Sequence, residues 1–286
     1  MTRLGAWNAR LDDPIDPRPL LLLRLAIGPL VLMHLAPFLH DAADGIIYRD
    51  RFWVPYLEWY PQLPRALYVT LLWLTVVAGF LVSIGLVTRI AAWLTVSGVA
   101  YNLFLSQTHF HHNRAFLLIL LVGVAVLPAG NVVSMDRRLH TPRWMSQGGG
   151  RRLALTVLRV EIALVYLASG FSKLIDSDWW GGTVTRLRIV AYRDHLDAVP
   201  DAVLDLLLDP GFHRWAAKAI ILTELFIGAG LLWPKTRRIA VLVAIAFHLG
   251  IQATAAVQVF SWAALAALVV WAPRGTPLLP RDRNAD

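Results

Sequence analysis

The sequence predicts an all-α polytopic membrane protein, a bundle of about eight transmembrane helices with short loops and interfacial amphipathic segments. Three observations carry this. Long apolar runs recur along the whole chain, each about the length a helix needs to cross a bilayer. Hydrophobic residues make up 57% of the 286 positions and charged residues only 16%, with a mean hydropathy of +0.55, a balance foreign to soluble domains of this size. Between the runs the chain is short, and tryptophans cluster at the run ends, as in the aromatic belts of membrane interfaces.

In order, residues 1–18 are a polar N-terminal segment with Asp12, Asp13 and Asp16. They have no basic region followed by a cleavable apolar stretch, so the first span is expected to act as its own insertion signal. That span covers residues 19–38, opened by Pro17 and Pro19, with Arg24 near its start and His34 near its end. The segment after it carries Trp53, Tyr56, Trp59 and Tyr60 broken by prolines, which reads as interfacial. The second span is 65–87, and a tight turn at Thr88–Arg89 leads to the third, 90–105. The turn SQTHFHHNR, 106–114, precedes the fourth span, which ends near Leu127 at Pro128. A basic, glycine-rich loop leads to the fifth, 153–175. In the long connection that follows, LDAVPDAVLDLLLDP is amphipathic and suits the membrane surface. The sixth span, 215–233, carries Glu224, and the seventh, 239–256, carries His248 and Gln252. The eighth, 257–272, is short, and its junction with the seventh suits either a tight turn or a re-entrant kink. Residues 19–273 thus form one transmembrane domain, and 274–286 a polar tail.

Eight spans put both termini on one side. Fifteen Lys and Arg fall on that side and nine on the other, which places both termini in the cytoplasm of a multi-pass cell-membrane protein. The net charge of +8 therefore sits in loops that set topology and does not imply nucleic acid. The absence of cysteine excludes disulfides, thiolate metal sites and a thiol nucleophile. No phosphate-binding loop, dinucleotide fingerprint, serine-hydrolase elbow or H-E-x-x-H is present.

With this topology, Lys173 at the end of the fifth span, the turn 109–114, and His248 and Gln252 all fall in the outer half of one bundle. Ionisable groups at membrane depth mark functional sites. Lys173 has two readings: a snorkelling anchor, or a desolvated amine that serves as general base. Asp176 and Asp178 are candidate partners that would keep it charged. His109, His111 and His112 have loose spacing and no evident fourth ligand, so no metal is predicted; one of them, with Asn113 and Arg114, is expected to line a polar outer pocket. His248 alone reads as structural. Glu224 needs a partner, an arginine or His248. Arg24 reads as a snorkelling anchor, and Glu161 as an interfacial partner of Arg159. Beside an enzyme, two further classes stay open: a non-catalytic membrane binding or maturation partner, and a small proton-linked transporter.

The stretch VYLASGFSKLIDSDWWGG, 165–182, resembles the vitamin K-dependent gamma-carboxylase family and its bacterial relatives, the HTTM (horizontally transferred transmembrane) proteins. Residues 113–138, from Asn113 to a proline and Ser-x-Asp, and residues 223–252, a helix pair with a late histidine, resemble it in the same order. The resemblance implies a membrane enzyme that couples oxygenation of a reduced quinone (vitamin K hydroquinone or menaquinol), with O2 and CO2 as co-substrates, to proton abstraction or carboxylation of a glutamyl side chain. Carried over, Lys173 is the base, His248 matches a membrane histidine of the family and Asn113 its asparagine; Lys173 and His248 are then the expected catalytic residues, and His111, His112, Asn113, Arg114, Tyr166, Trp179, Glu224 and Gln252 are the residues assigned to a quinone and substrate pocket. The expected partners are lipid, the quinone and a peptide entering from the outer face. The family's histidine after the asparagine is Arg114 here, and its large lumenal region has no counterpart in this sequence.

Overall fold

The computed structural model describes residues 13–44, 54–191, 199–254 and 259–272. The first twelve residues, the tail from 273, Trp53 and the junction 255–258 lie outside them. Among the described residues the chain is helical, without strands. Eight helices alternate in direction: α1 (Arg18–Ala43), α2 (Arg65–Ile84), α3 (Thr88–Leu105), α4 (His112–Val126), α7 (Arg152–Ile175), α11 (Pro210–Leu232), α12 (Arg237–Thr254) and α13 (Val259–Ala267), which ends in a 3-10 turn, Leu268–Trp271. Of these, α1, α2, α7 and α11 are long and apolar enough to cross a membrane. Short helices fill two connections. Helices α5 (Met135–Arg138) and α6 (Arg143–Ser146) lie at the near end, where α1 begins; α8 (Ser177–Trp180), α9 (Thr183–Ala191) and α10 (Asp201–Leu208) lie at the far end.

The first hairpin shows how backbone polarity is managed in this bundle. Helix α1 contains Pro29, which has no N–H and frees the carbonyl of Leu25 four residues back. The Ser83 hydroxyl of α2 bonds the carbonyls of Arg24 and Leu25 at 3.2 and 3.1 Å and receives the Gly28 N–H at 2.8 Å. Gly28 allows the approach, because a Cβ there would lie 2.8 Å from the Phe80 ring and 2.9 Å from the Ser83 oxygen. A neighbouring helix thus repairs the proline break, as backbone groups in lipid require.

At the near end Arg24 is buried rather than snorkelling. Its guanidinium donates to the carbonyls of Ala129, Val132 and Val133 at 3.1, 3.0 and 2.6 Å. Those carbonyls become available because the chain after α4 breaks at Pro128 into a single 3-10 turn. Helix α2 stops at Gly85, whose φ of 73° suits glycine. Asp136 then caps α3, accepting from the N–H groups of Val87 and Thr88 and from the Thr88 hydroxyl at 2.7, 2.9 and 2.6 Å. Arg159 bonds the carbonyl of Val270, which joins α7 to the end of α13. Trp93, Trp144 and Trp233 are exposed near this end, and Trp59, Trp180 and Trp215 near the other; Trp271, also at the end of an apolar run, packs into the core instead.

Helix boundaries follow the sequence reading within a turn, except that α1 runs on to Ala43 and α11 starts at Pro210, one turn or more beyond the expected limits. Asp209 accepts from the Phe212 N–H at 2.6 Å and caps α11 there. The amphipathic segment forms α10, with an exposed surface.

Removing the Ser83 hydroxyl (Ser83→Ala) is expected to lower stability by about 1 kcal/mol. Asp136→Ala, which strips a buried carboxylate from three donors, should cost more, roughly 2–3 kcal/mol. Unfolding titrated with SDS checks both; equal losses would contradict this ranking.

Candidate functional site

Helices α7 and α11 cross closely, and small residues set their spacing. A Cβ on Gly170 would lie 2.8 Å from the Leu225 side chain, and one on Gly228 would lie 2.6 Å from Leu167 and 2.9 Å from the Ala163 carbonyl. Small residues let helix backbones approach in this way. On the facing stripe of α7 stand Tyr166, Ser169, Gly170 and Lys173, spaced i, i+3, i+4 and i+7. Across from them, α11 presents Glu224.

Lys173 Nζ lies 2.5 Å from Glu224 Oε2 and 2.5 Å from Ser169 Oγ. The serine hydroxyl donates onward to Glu224 Oε1 at 3.2 Å, which closes a three-membered polar ring. The side chains of Lys173 and Glu224 are 14% and 8% exposed, so both charges are largely removed from water and each depends on the other. The Trp179 ring, on α8, covers the ammonium at 4.9 Å, and Arg188 of α9 lies 5.4 Å from the same ring. Asp176 does not pair with the lysine; it caps α8, accepting from the N–H groups of Asp178 and Trp179. Helices α9 and α10 are fixed to α11 through His213, which bonds the Leu207 carbonyl at 2.6 Å and the Thr185 hydroxyl at 3.2 Å. Gly182, at φ 82°, passes so close that a Cβ would lie 2.5 Å from the His213 backbone.

Two turns from Lys173 along the same face, Tyr166 and His248 are joined at 2.7 Å between the phenol oxygen and Nε2. Tyr166 lies near enough to Glu224 to feel its charge. His248 is wholly buried and rests against the Phe260 ring of α13, with centroids 5.4 Å apart. Its Nδ1 and Gln252 Oε1 are buried without a hydrogen-bond partner. Five of the expected site residues, Lys173, Glu224, Tyr166, His248 and Trp179, therefore belong to one connected region, with Gln252 a helical turn from His248.

The turn before α4 sits differently. His111 caps α4, its Nδ1 accepting from the Asn113 N–H at 3.2 Å, and His111 and His112 are exposed while Asn113 is partly so. Arg114 turns inward, donating to the His109 carbonyl at 2.9 Å and lying 4.6 Å from the Phe38 ring centroid. Arg188 is close enough to interact with both Lys173 and His111, so the turn and the lysine share the far end through that arginine. Among the described residues no three His, Asp or Glu side chains converge to hold a metal. Partial desolvation at this solvent-facing position, aided by the Arg114 charge, holds His111 below the usual histidine range. Burial also lowers His109, against the opposing pull of its bond to the Asn102 carbonyl.

Sequence reasoning missed Ser169 and left open which of His109, His111 and His112 turns inward. Ser169 stands one turn before Lys173 on the same face, a spacing that identifies it once a lysine partner is sought. The inward orientation of His109, rather than His111 or His112, has no signal in a run of three histidines.

The HTTM domain family matches residues 12–274, nearly the whole chain. No curated protein and no solved structure matches it.

Breaking the pair on one side strands a buried charge, so Lys173→Met is expected to cost about 3–5 kcal/mol. Lys173→Met combined with Glu224→Leu should regain most of that loss; if the double variant is as unstable as the sum of the singles, the two residues are not coupled in the folded protein. Since the folded state holds His109 below its ordinary 6.5, the unfolded chain binds the extra proton and stability falls as pH drops through about 6.5. His109→Gln should flatten that part of the pH–stability curve.

Proposed function

The chain belongs to the HTTM domain family, and from that membership and the buried Lys173–Glu224 pair we propose that it is a gamma-carboxylase-like enzyme of the cell membrane. In this reading the eight alternating helices are eight membrane crossings, with both termini cytoplasmic and the far end of the bundle facing outward. Reducing power comes from a membrane quinol, with O2 and CO2 as co-substrates. The acceptor is a glutamyl or other carbon acid, on a peptide entering from the outer face.

The observation that carries this is an amine held inside an apolar bundle by a carboxylate 2.5 Å away. An ammonium is no base. A carboxylate in direct contact changes that, because the proton can pass from Lys173 Nζ to Glu224 Oε2 and leave a neutral pair. Low polarity favours the neutral form of such a pair. Lys173 Nζ is then the atom that takes a proton, Glu224 the group that carries one away, and Ser169 the hydroxyl that orients both. The Trp179 ring excludes water above the amine.

A reduced quinone, when bound, would supply the electrons for oxygen and an acidic hydroxyl. The residues present fit such a group: His248 Nδ1 and Gln252 Oε1 are buried polar atoms without protein partners, next to the apolar rings of Phe247 and Phe260. His248 and Gln252 would hold its polar end, with Tyr166 keeping the His248 ring in place. The mouth formed by His111, His112 and Asn113 would meet the polar substrate, while Arg114 is turned inward.

Quinol epoxidation by the protein in nanodiscs, with and without a glutamyl peptide, tests the reading. Lys173→Arg keeps the charge but not the basicity, and is expected to insert normally and lose turnover by about a hundredfold or more. Full activity in Lys173→Arg, or no quinol turnover by the wild-type protein, would overturn the proposal.

A further inference from the structure

A second polar cluster lies among the first four helices, apart from the lysine site. Its members come from five elements: His34 and Phe38 of α1, Tyr68 of α2, Asn102 of α3, His109 of the turn, and Arg114 of α4. They form one connected set. The Tyr68 hydroxyl donates to Asn102 Oδ1 at 2.5 Å, and His109 Nδ1 bonds the Asn102 carbonyl at 3.0 Å. The rings of Phe38 and His109 lie 4.7 Å apart, and those of His34 and Phe38 5.9 Å apart. Arg114 rests on Phe38, and its charge and that of His109 reach His34.

This cluster is short of acceptors. His34 is 3% exposed, and neither ring nitrogen has a partner; Asn102 is fully buried with its amide nitrogen unpartnered. Arg114 has a single hydrogen bond, to the His109 carbonyl, and no ion pair among the described residues. Asp41 is the carboxylate nearest in effect, and it acts on His109. The buried unfilled capacity is therefore the Asn102 amide N–H groups and the His34 ring, beside the partly exposed guanidinium of Arg114. Buried polar groups are rarely left so. Water would satisfy individual donors but would not neutralise the guanidinium. A metal cation would be repelled by it. A planar oxyanion supplies both the acceptor atoms and the charge, and arginine presents a matching fork.

We propose that His34, Asn102 and Arg114 form a binding site for a small planar oxyanion of carboxylate geometry. The site is independent of the role given to Lys173 and stands or falls separately from it.

Thermal unfolding of the purified full chain in detergent, at constant ionic strength, tests this with formate and nitrate against chloride. Formate and nitrate are expected to raise the midpoint with the logarithm of their concentration, and chloride not to. Arg114→Gln should abolish the shift, Arg114→Lys should weaken apparent affinity about tenfold, and His34→Phe should reduce it. Should Arg114→Gln fail to fold, the line width of 13C-formate decides: the wild-type protein broadens it, and nitrate but not chloride restores it. Equal responses to chloride and formate, no response to any anion, or a formate shift that survives in Arg114→Gln overturns the proposal.

Discussion

One constraint governs this molecule: a polar group removed from both water and headgroups must find its partner inside the protein. The Lys173–Glu224 pair is its plainest expression. Either charge alone would be costly at that depth. Together with the Ser169 hydroxyl they form a closed set that two apolar helices can carry. The pair also dictates how α7 and α11 meet, because side chains reach this contact only if the backbones run close. That requirement explains why Gly170 and Gly228 stand where they do, each with a neighbouring side chain in the space a Cβ would need.

The same constraint shapes parts of the bundle with no evident chemistry. Pro29 breaks the ladder of α1, and Ser83 supplies the missing donor from α2. Arg24 is buried because the irregular chain after α4 offers it three carbonyls, which would themselves be unpaired without it. Each defect is matched by another, and the match holds two elements in register. Interhelical bonds of this kind contribute only about 0.6–1.7 kcal/mol apiece. Their effect on which helix meets which is larger than that figure suggests, because alternative pairings would leave groups unsatisfied.

Much of this was legible in the sequence. Apolar runs bounded by proline and glycine marked most helices to within a turn, α1 and α11 excepted, since length and hydropathy are local properties. Lys173, Glu224 and His248 stood out because charge or imidazole in an apolar run is locally anomalous. Their pairing was not legible. Glu224 was open to an arginine or to His248, and Lys173 to Asp176 or Asp178, because partner choice depends on how helices rotate about their axes. Gly170 and Gly228 set that rotation only in concert with Leu167 and Leu225. Arg24 illustrates the same limit: an arginine near a helix start reads as an anchor, and only the path of the chain 105 residues later buries it. Buried Asn102 gave no signal, since a single uncharged polar residue in a span is ordinary, and His34 was visible as an imidazole in an apolar run without any indication of its surroundings.

The distribution of satisfied and unsatisfied groups separates the two ends of the bundle. Near the α1 start, polar groups are almost saturated, and among the described side chains there only Arg24 Nε and Asn131 Oδ1 are buried without a partner. Toward the middle and far end the unpartnered atoms are those of His34, Asn102, His248, Gln252 and Ser261. Folding alone would favour saturation everywhere, since each orphan costs about 1–3 kcal/mol. A bundle that repairs a proline break with a serine from the next helix has the means to satisfy such groups. That it leaves most of them open toward the middle and far end, in the two regions proposed above as sites, is the pattern expected where a ligand supplies the missing partners.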